Sequence, residues 1–348
     1  MQAIVKPERA PGAVVRQAPV PDIGPRDVLI RVRAASICGT DLHIYTWDRW
    51  AQRRLKPPLI FGPEFCGHVE RVGAEVTLAR PGDFVSAEMH VACGHCFQCR
   101  TGQSHICQDV RIIGIDADGC FAEFVRIPEA NVWKIDPAIP VEYAAILDPL
   151  GNAVHTVLAG DVAGLSMAIT GAGPIGLFSI AVAKACGAGP IFVTELHPYR
   201  QKLAEKMGAD QVIDPSAADA TAQVLAATDG VGVDVVLEMS GHPDAVRQGF
   251  HMLRRGGRIS LLGIPAKPLE IDLANDVIFK GAIVQGINGR RVFDTWYRMQ
   301  ALLKSGALKL DPLITDRMPL ADFDKGVQLL LSGNASKVLL YPNGQEQR

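Results

Sequence analysis

Six residues, Gly171-Ala172-Gly173-Pro174-Ile175-Gly176, restrict what this 348-residue chain can fold into more than any other stretch. They read G-x-G-x-x-G, after the strand-like Ser166 to Thr170 and before the apolar, helix-compatible Leu177 to Ala185. The glycines permit a tight turn and close backbone approach, and the N-terminus of the following helix attracts a pyrophosphate. Alone the pattern is weak. Glu195 strengthens it, because it closes the next strand, Ile191 to Thr194, 24 residues past Gly171, where an acid accepts hydrogen bonds from both hydroxyls of an adenosine ribose. A carboxylate there repels a 2′-phosphate, which favours NAD over NADP. Arg200 weakens that preference slightly, since it can meet a phosphate or lie over the adenosine.

Around this turn the pattern alternates between strands and helices. Ser166 to Thr170, Ile191 to Thr194, Val233 to Glu238 and Arg258 to Leu262 are expected strands, with an amphipathic helix after Pro198. Such alternation predicts a parallel sheet covered by helices, an α/β module over residues 150–292. Leu262-Gly263-Ile264 and Gly286-Ile287 follow strands there, and ligands of parallel sheets sit at the carboxyl ends of strands. The apolar run Leu165 to Ala183 approaches the length of a membrane span, but Gly171, Gly173, Pro174 and Gly176 break it, so strand, turn and helix fit better. Met1 to Pro149 is instead β-rich, with runs such as Val28 to Val32 and Phe121 to Ile127 between Gly, Pro and Asp turns. The last fifty or so residues, with a helical run Thr295 to Leu303 and a strand Lys337 to Tyr341, can fold back on that first module.

Composition narrows the partners. Lysine and arginine total 35 against 37 acidic residues, a net charge of −2, so neither a nucleic acid nor an anionic membrane is expected to bind. The first residues lack a secretory pattern, which predicts a cytoplasmic protein. Eight cysteines in such a chain argue for metal or catalytic work and against a disulfide framework.

Four of those cysteines, Cys93, Cys96, Cys99 and Cys107, are spaced C-x2-C-x2-C-x7-C. Four thiolates on one short loop can surround zinc tetrahedrally, and a closed set leaves no open position, so this zinc staples a lobe of about residues 89–110 and performs no catalysis. A redox-active CxxC or unrelated buried thiols are the competing readings. His95 and His105 lie in the same loop and are expected at the surface. Ser36 to His43 places Cys38, Thr40 and His43 within six residues, where a zinc-bound thiolate and a proton path to solvent are conceivable. A lone buried cysteine is more often inert filling.

The segments ICGTDLHIYTWD, the four-cysteine loop, DPLGNAVHT from Asp148 to Thr156, TGAGPIG and GRRVFDTWY from Gly289 to Tyr297 together resemble the zinc-containing medium-chain dehydrogenases, and within them the threonine-oxidising branch. The resemblance implies a GroES-like catalytic domain, residues 1–149 and 293–348, interrupted by a Rossmann domain, in a homotetramer. It implies oxidation of the β-hydroxyl of L-threonine, or a related amino alcohol, to 2-amino-3-oxobutanoate, with a polyol dehydrogenase as the alternative. By position, Cys38 and Glu64 belong to a catalytic zinc, Thr40 and His43 to a proton relay, and Asp148 to a relay or supporting role. Gly171, Gly173, Ile175, Gly176, Glu195, Arg200, Leu262, Gly263, Ile264, Gly286 and Ile287 are implied to contact NAD. His90 and His155 are expected to be packed wall residues.

One departure matters. The family writes Gly-His-Glu where this chain has Gly62-Pro63-Glu64, so a zinc-ligating histidine is missing. His68 is an odd offset away in a strand-like run, which points its ring to the opposite face. Three readings stay open: zinc bound weakly by Cys38, Glu64, Asp148 and water; an inactive NAD-binding relative; or an altered sequence of an otherwise active enzyme.

Overall fold

The computed structural model describes residues 1–344, and they divide into two compact units. The first runs from Met1 to Asp148 and resumes at Ile314; the second is Pro149–Leu313. The second boundary lies later than the expected residue 293. The helix Asp294–Lys304 buries Trp296 and Met299, and the Met299 sulfur lies 3.8 Å from where a Cβ on Gly151 would sit. That apolar contact ties the segment to the second unit.

The second unit is a six-stranded, wholly parallel sheet. Across it the strands run Gln211–Ile213, Ile191–Thr194, Met167–Thr170, Val233–Glu238, Leu253–Leu261 and Ile283–Gly286. The order reverses between Met167–Thr170 and Val233–Glu238, the switch point at which a doubly wound sheet opens a crevice for a dinucleotide. The central strands are buried on both faces save the half-buried Asp234, in keeping with their mainly apolar content. The strand expected from Arg258 begins at Leu253, and its pairing with Val233–Glu238 shifts register before Arg258, where Gly256 and Gly257 read as a breaker.

The first unit is built on a seven-stranded sheet around the long strand Asp27–Ser36, flanked by Phe65–Val72, Phe124–Pro128 and Lys337–Tyr341. The C-terminal segment therefore does return to the first module, with Leu339 opposite Ser36 and Leu340 opposite Ala35. Phe61, Phe121 and Phe323 pack edge-on or tilted at centroid distances of 5.4–5.5 Å in its core. Gly62 has φ +101°, and a Cβ there would lie 2.5 Å from the Phe121 ring, so only glycine lets the chain turn past this cluster into Pro63 and Glu64. Among the described residues no helix is long and apolar enough to cross a membrane.

Candidate active site and metal centre

The glycine turn joins Met167–Thr170 to the helix Pro174–Ala185, with Pro174 in the first turn, where its missing N–H is not needed. Gly171 has φ +92° and sits against Ser240, while a Cβ on Gly176 would lie 2.1 Å from the Gly171 carbonyl oxygen. These two glycines serve backbone packing. Gly173 differs: a Cβ there would meet nothing within 4 Å, which leaves open space over the helix N-terminus for a phosphate. Glu195 closes the Ile191–Thr194 strand and is buried; its Oε2 accepts the Ala172 N–H at 2.8 Å and its Oε1 the His197 N–H at 2.9 Å. Each oxygen keeps a lone pair for a ribose hydroxyl. Ile175 and Arg200 are half-buried, the latter on the helix Pro198–Lys206.

On the other side of the switch point, Glu238 was not singled out by sequence reasoning. It is fully buried, and its carboxylate accepts the Ser240 N–H and hydroxyl and the Gly241 N–H, while its carbonyl accepts the Leu262 and Gly263 N–H groups. Glu238 thus fixes two strand-end loops at once, including Leu262, Gly263 and Ile264; Ile264 is 90% exposed. Gly286 ends its strand, and the Ile287 N–H donates to the Leu261 carbonyl. The cue was a strand ending in an acid followed by Ser and Gly.

In the first unit, Cys93, Cys96, Cys99 and Cys107 converge, with all four sulfurs within 4.8 Å of one another and nearest pairs at 3.5–4.0 Å. A zinc–sulfur bond of about 2.3 Å sets the edge of a ZnS4 tetrahedron at about 3.8 Å, so the set fits zinc. N–H groups of Cys93, Cys96 and Asp109 point at the sulfurs. Backbone donors help lower the Cys96 thiol to about 6, whereas burial and the Cys96 contact push Cys99 up to about 12. A divalent cation resolves that conflict by stabilising every thiolate together.

Cys38 is the N-cap of the helix Gly39–Thr46, and its N–H donates to Asp41 Oδ2 at 2.9 Å. Asp41 is fully buried, its Oδ1 has no hydrogen-bond partner, and burial, with Glu64 adding, pushes its carboxyl up to about 8 against the opposing Cys38 N–H. Burial, Asp41 and Glu64 likewise raise the Cys38 thiol well above its ordinary value. Thr40 is half-buried one residue into the helix, and His43 is exposed one turn on. His43 Nδ1 lies 2.7 Å from Asp48 Oδ2, and Asp48 also caps the next helix, Arg49–Arg54, by accepting the Ala51 N–H. Asp48, part of the ICGTDLHIYTWD segment but given no role by the sequence, orients the imidazole.

Glu64 is buried and its Oε2 accepts from the Lys337 ammonium, which also donates to the Ile37 carbonyl at 3.1 Å; Lys337 is itself 1% exposed. Cys38, Asp41, Glu64 and Lys337 therefore form one cluster. His68 stacks on Phe84 at 5.2 Å, and His90 Nδ1 lies 2.8 Å from Glu88 Oε1. Asp148 lies in the first turn of the helix Leu147–Val157. His155, on the same helix, donates its Nδ1–H to the Gly289 carbonyl at 2.8 Å, and Arg290 donates to Asn152 Oδ1 at 3.1 Å, so the Gly289 segment is latched to that helix.

Residues 24–137 match the family described as Alcohol dehydrogenase GroES-like domain, and residues 174–305 the one described as Zinc-binding dehydrogenase. The L-threonine 3-dehydrogenase of Symbiobacterium thermophilum is 51% identical over 99% of this chain and 98% of its own length. The chain belongs to the zinc-binding medium-chain dehydrogenase family. Among solved structures of that family, the 2R,3R-butanediol dehydrogenase of Bacillus subtilis matches with TM-score 0.89 and 31% identity, over 98% of this chain and 99% of that one. A zinc-binding dehydrogenase of Sinorhizobium meliloti bound to NADP gives the same TM-score, identity and coverage.

Membership of the dehydrogenase family implies a dinucleotide and zinc, and the residues present can be tested against each. The open Gly173 cradle and the Glu195 carboxylate fit a dinucleotide, and the four-cysteine lobe fits zinc. The second, catalytic zinc does not fit. Proline at position 63 has no donor atom on its side chain, and Glu64 is engaged by Lys337. Among the described residues the four cysteines are the only group of three or more Cys, His, Asp or Glu side chains whose ligand atoms converge. The metal role implied for Cys38 and Glu64 thus lacks a third donor.

Proposed function

We propose that this chain is an NAD-dependent dehydrogenase that oxidises the β-hydroxyl of L-threonine to 2-amino-3-oxobutanoate, and that Pro63 leaves its turnover low. The observation that carries the substrate is the 51% identity, along nearly the whole chain, with an L-threonine 3-dehydrogenase. The fold alone does not separate threonine from a diol, since the butanediol enzyme shares it along 98% of this chain.

NAD, when bound, supplies the hydride acceptor. The chain's part is to hold it: Gly173 leaves room for the pyrophosphate, the Pro174–Ala185 helix presents its N-terminal N–H groups, and Glu195 engages the adenosine ribose. NAD is favoured over NADP because Glu195 is buried and anionic groups repel there. The alcohol proton leaves through Thr40 to His43, whose Nδ1 side is anchored by Asp48 so that Nε2 is free to take a proton and release it to water. Asp148 supports this path from the start of its helix. Loss of a group that merely supports a metal ligand lowers activity about 10–100-fold, so loss of a ligand at position 63 is expected to lower it by at least about that factor.

We further infer a cytoplasmic homotetramer. The edge strand Ile283–Gly286 leaves Ile283 58% and Val284 42% exposed, and an exposed apolar sheet edge is a template for pairing with another copy. Formation of NADH from L-threonine, followed by absorbance and compared with 2,3-butanediol, tests the reading: a rate on threonine above that on the diol supports it, and the reverse order overturns it.

A further inference from the structure

We infer that this chain binds one zinc ion and not two, because Pro63 brings no donor beside Cys38 and Asp41 while the buried Lys337 ammonium already holds Glu64. A catalytic zinc takes three protein ligands and keeps one position open. Here Pro63 contributes none, and of the neighbouring donors only Cys38 and Asp41 Oδ1 are not engaged by another residue in a way that turns them from the site. Asp41 Oδ2 accepts the Cys38 N–H, Cys120 Sγ donates to the Glu64 carbonyl at 3.3 Å, and His68 stacks on Phe84. Glu64 and Lys337 are only 2% and 1% exposed, so water cannot stand in for either partner.

Drawing Glu64 to a metal would strand the ammonium without its counter-charge in a site that excludes water, and breaking such a pair is strongly destabilising. Nor can Lys337 move aside. It begins the strand Lys337–Tyr341, which pairs with Asp27–Ser36 through Leu339 and Leu340, and its Nζ is tied to the Ile37 carbonyl beside Cys38. In the unmodified chain a dication there would have Cys38 and Asp41 Oδ1 as side-chain donors and, among the described residues, no converging third to offset the nearby ammonium. The four-cysteine lobe has none of these obstacles.

The inference concerns metal content and holds whatever alcohol is the substrate. Zinc is measured by elemental analysis on the whole purified chain after dialysis against metal-free buffer, and cobalt(II) titration of the zinc-depleted chain gives an independent count. The expected result is one zinc per chain, unchanged in Glu64→Gln and rising to two in Pro63→His, whose imidazole adds a donor beside Cys38 and Asp41 Oδ1 without drawing on Glu64. The expected cobalt titration saturates at one equivalent with the absorption of a tetrathiolate site. Two zincs in the unmodified chain, a fall on Glu64→Gln, or cobalt saturation at two equivalents overturns the inference. If Glu64→Gln or Pro63→His does not fold, the zinc and cobalt counts of the unmodified chain decide. A chain with one zinc that makes no NADH from L-threonine removes the proposed function and leaves this inference standing; a chain with two zincs that oxidises threonine does the opposite.

Discussion

Replacing Glu195 with alanine isolates the cofactor half of the account. The carboxylate is buried at the end of its strand and accepts two backbone N–H groups, at 2.8 and 2.9 Å, before any ligand arrives. Loss of its charge-assisted bonds to the ribose should weaken NAD by about 1.5–3 kcal/mol, or roughly 10–150-fold in Kd. NADP should be affected less, since the repulsion of its 2′-phosphate disappears with the charge, so the preference for NAD narrows. A second effect is separable: the Ala172 N–H loses its acceptor in a buried position, which costs about 1–3 kcal/mol of stability before any ligand binds. Calorimetric titration of NAD and NADP into the wild type and Glu195→Ala, with melting curves of each apo protein, reads both effects. Equal affinity for the two cofactors in the wild type, or unchanged NAD affinity in Glu195→Ala, would refute the reasoning.

Three further outcomes are expected. Gly176→Ala places a methyl 2.1 Å from the Gly171 carbonyl oxygen and should reduce NAD binding about 5–150-fold if the about 1–3 kcal/mol typical of overpacking falls on the bound turn; titration showing wild-type affinity would count against the turn geometry. Asp48→Asn should lower the rate of NADH formation about tenfold with NAD affinity unchanged, because the imidazole loses its anionic partner; a parallel loss of NAD binding would mean a general structural defect. Burial, with Arg290 and Arg291 adding, holds His155 below its ordinary value of 6.5. The unfolded chain therefore takes up a proton that the folded chain refuses, and stability should fall as pH drops below about 6.5. His155→Gln should flatten that fall in melting temperature between pH 7 and 5, and identical slopes would exclude His155 as its source.

Local patterns carried the parts of this fold that local physics determines. Ile191–Thr194, Val233–Glu238 and Lys337–Tyr341 begin and end where the sequence places them, because each is largely buried and flanked by breakers. The strand expected from Arg258 to Leu262 runs instead from Leu253 to Leu261, because Gly256 and Gly257 lie inside an element that changes register around them. The boundary expected at 293 moved to Leu313 because the packing of Trp296 and Met299 is decided by tertiary contact. The convergence of Cys93, Cys96, Cys99 and Cys107 was legible because all four lie within one short loop. The Lys337–Glu64 pair joins residues 273 positions apart, and no pattern within a window reveals it. Glu238 and Asp48 escaped notice for a different reason: each looks like an ordinary strand-end or cap residue until its second hydrogen-bond partner is seen.

The most direct test of the central claim is the rate of L-threonine-dependent NADH formation in Pro63→His beside the unmodified chain, at saturating NAD. The account predicts slow but measurable turnover in the unmodified chain and a rise of about 100-fold or more once an imidazole stands at position 63, equivalent to about 2.7 kcal/mol of barrier. Equal rates in the two proteins, or no NADH from threonine in either, would contradict it.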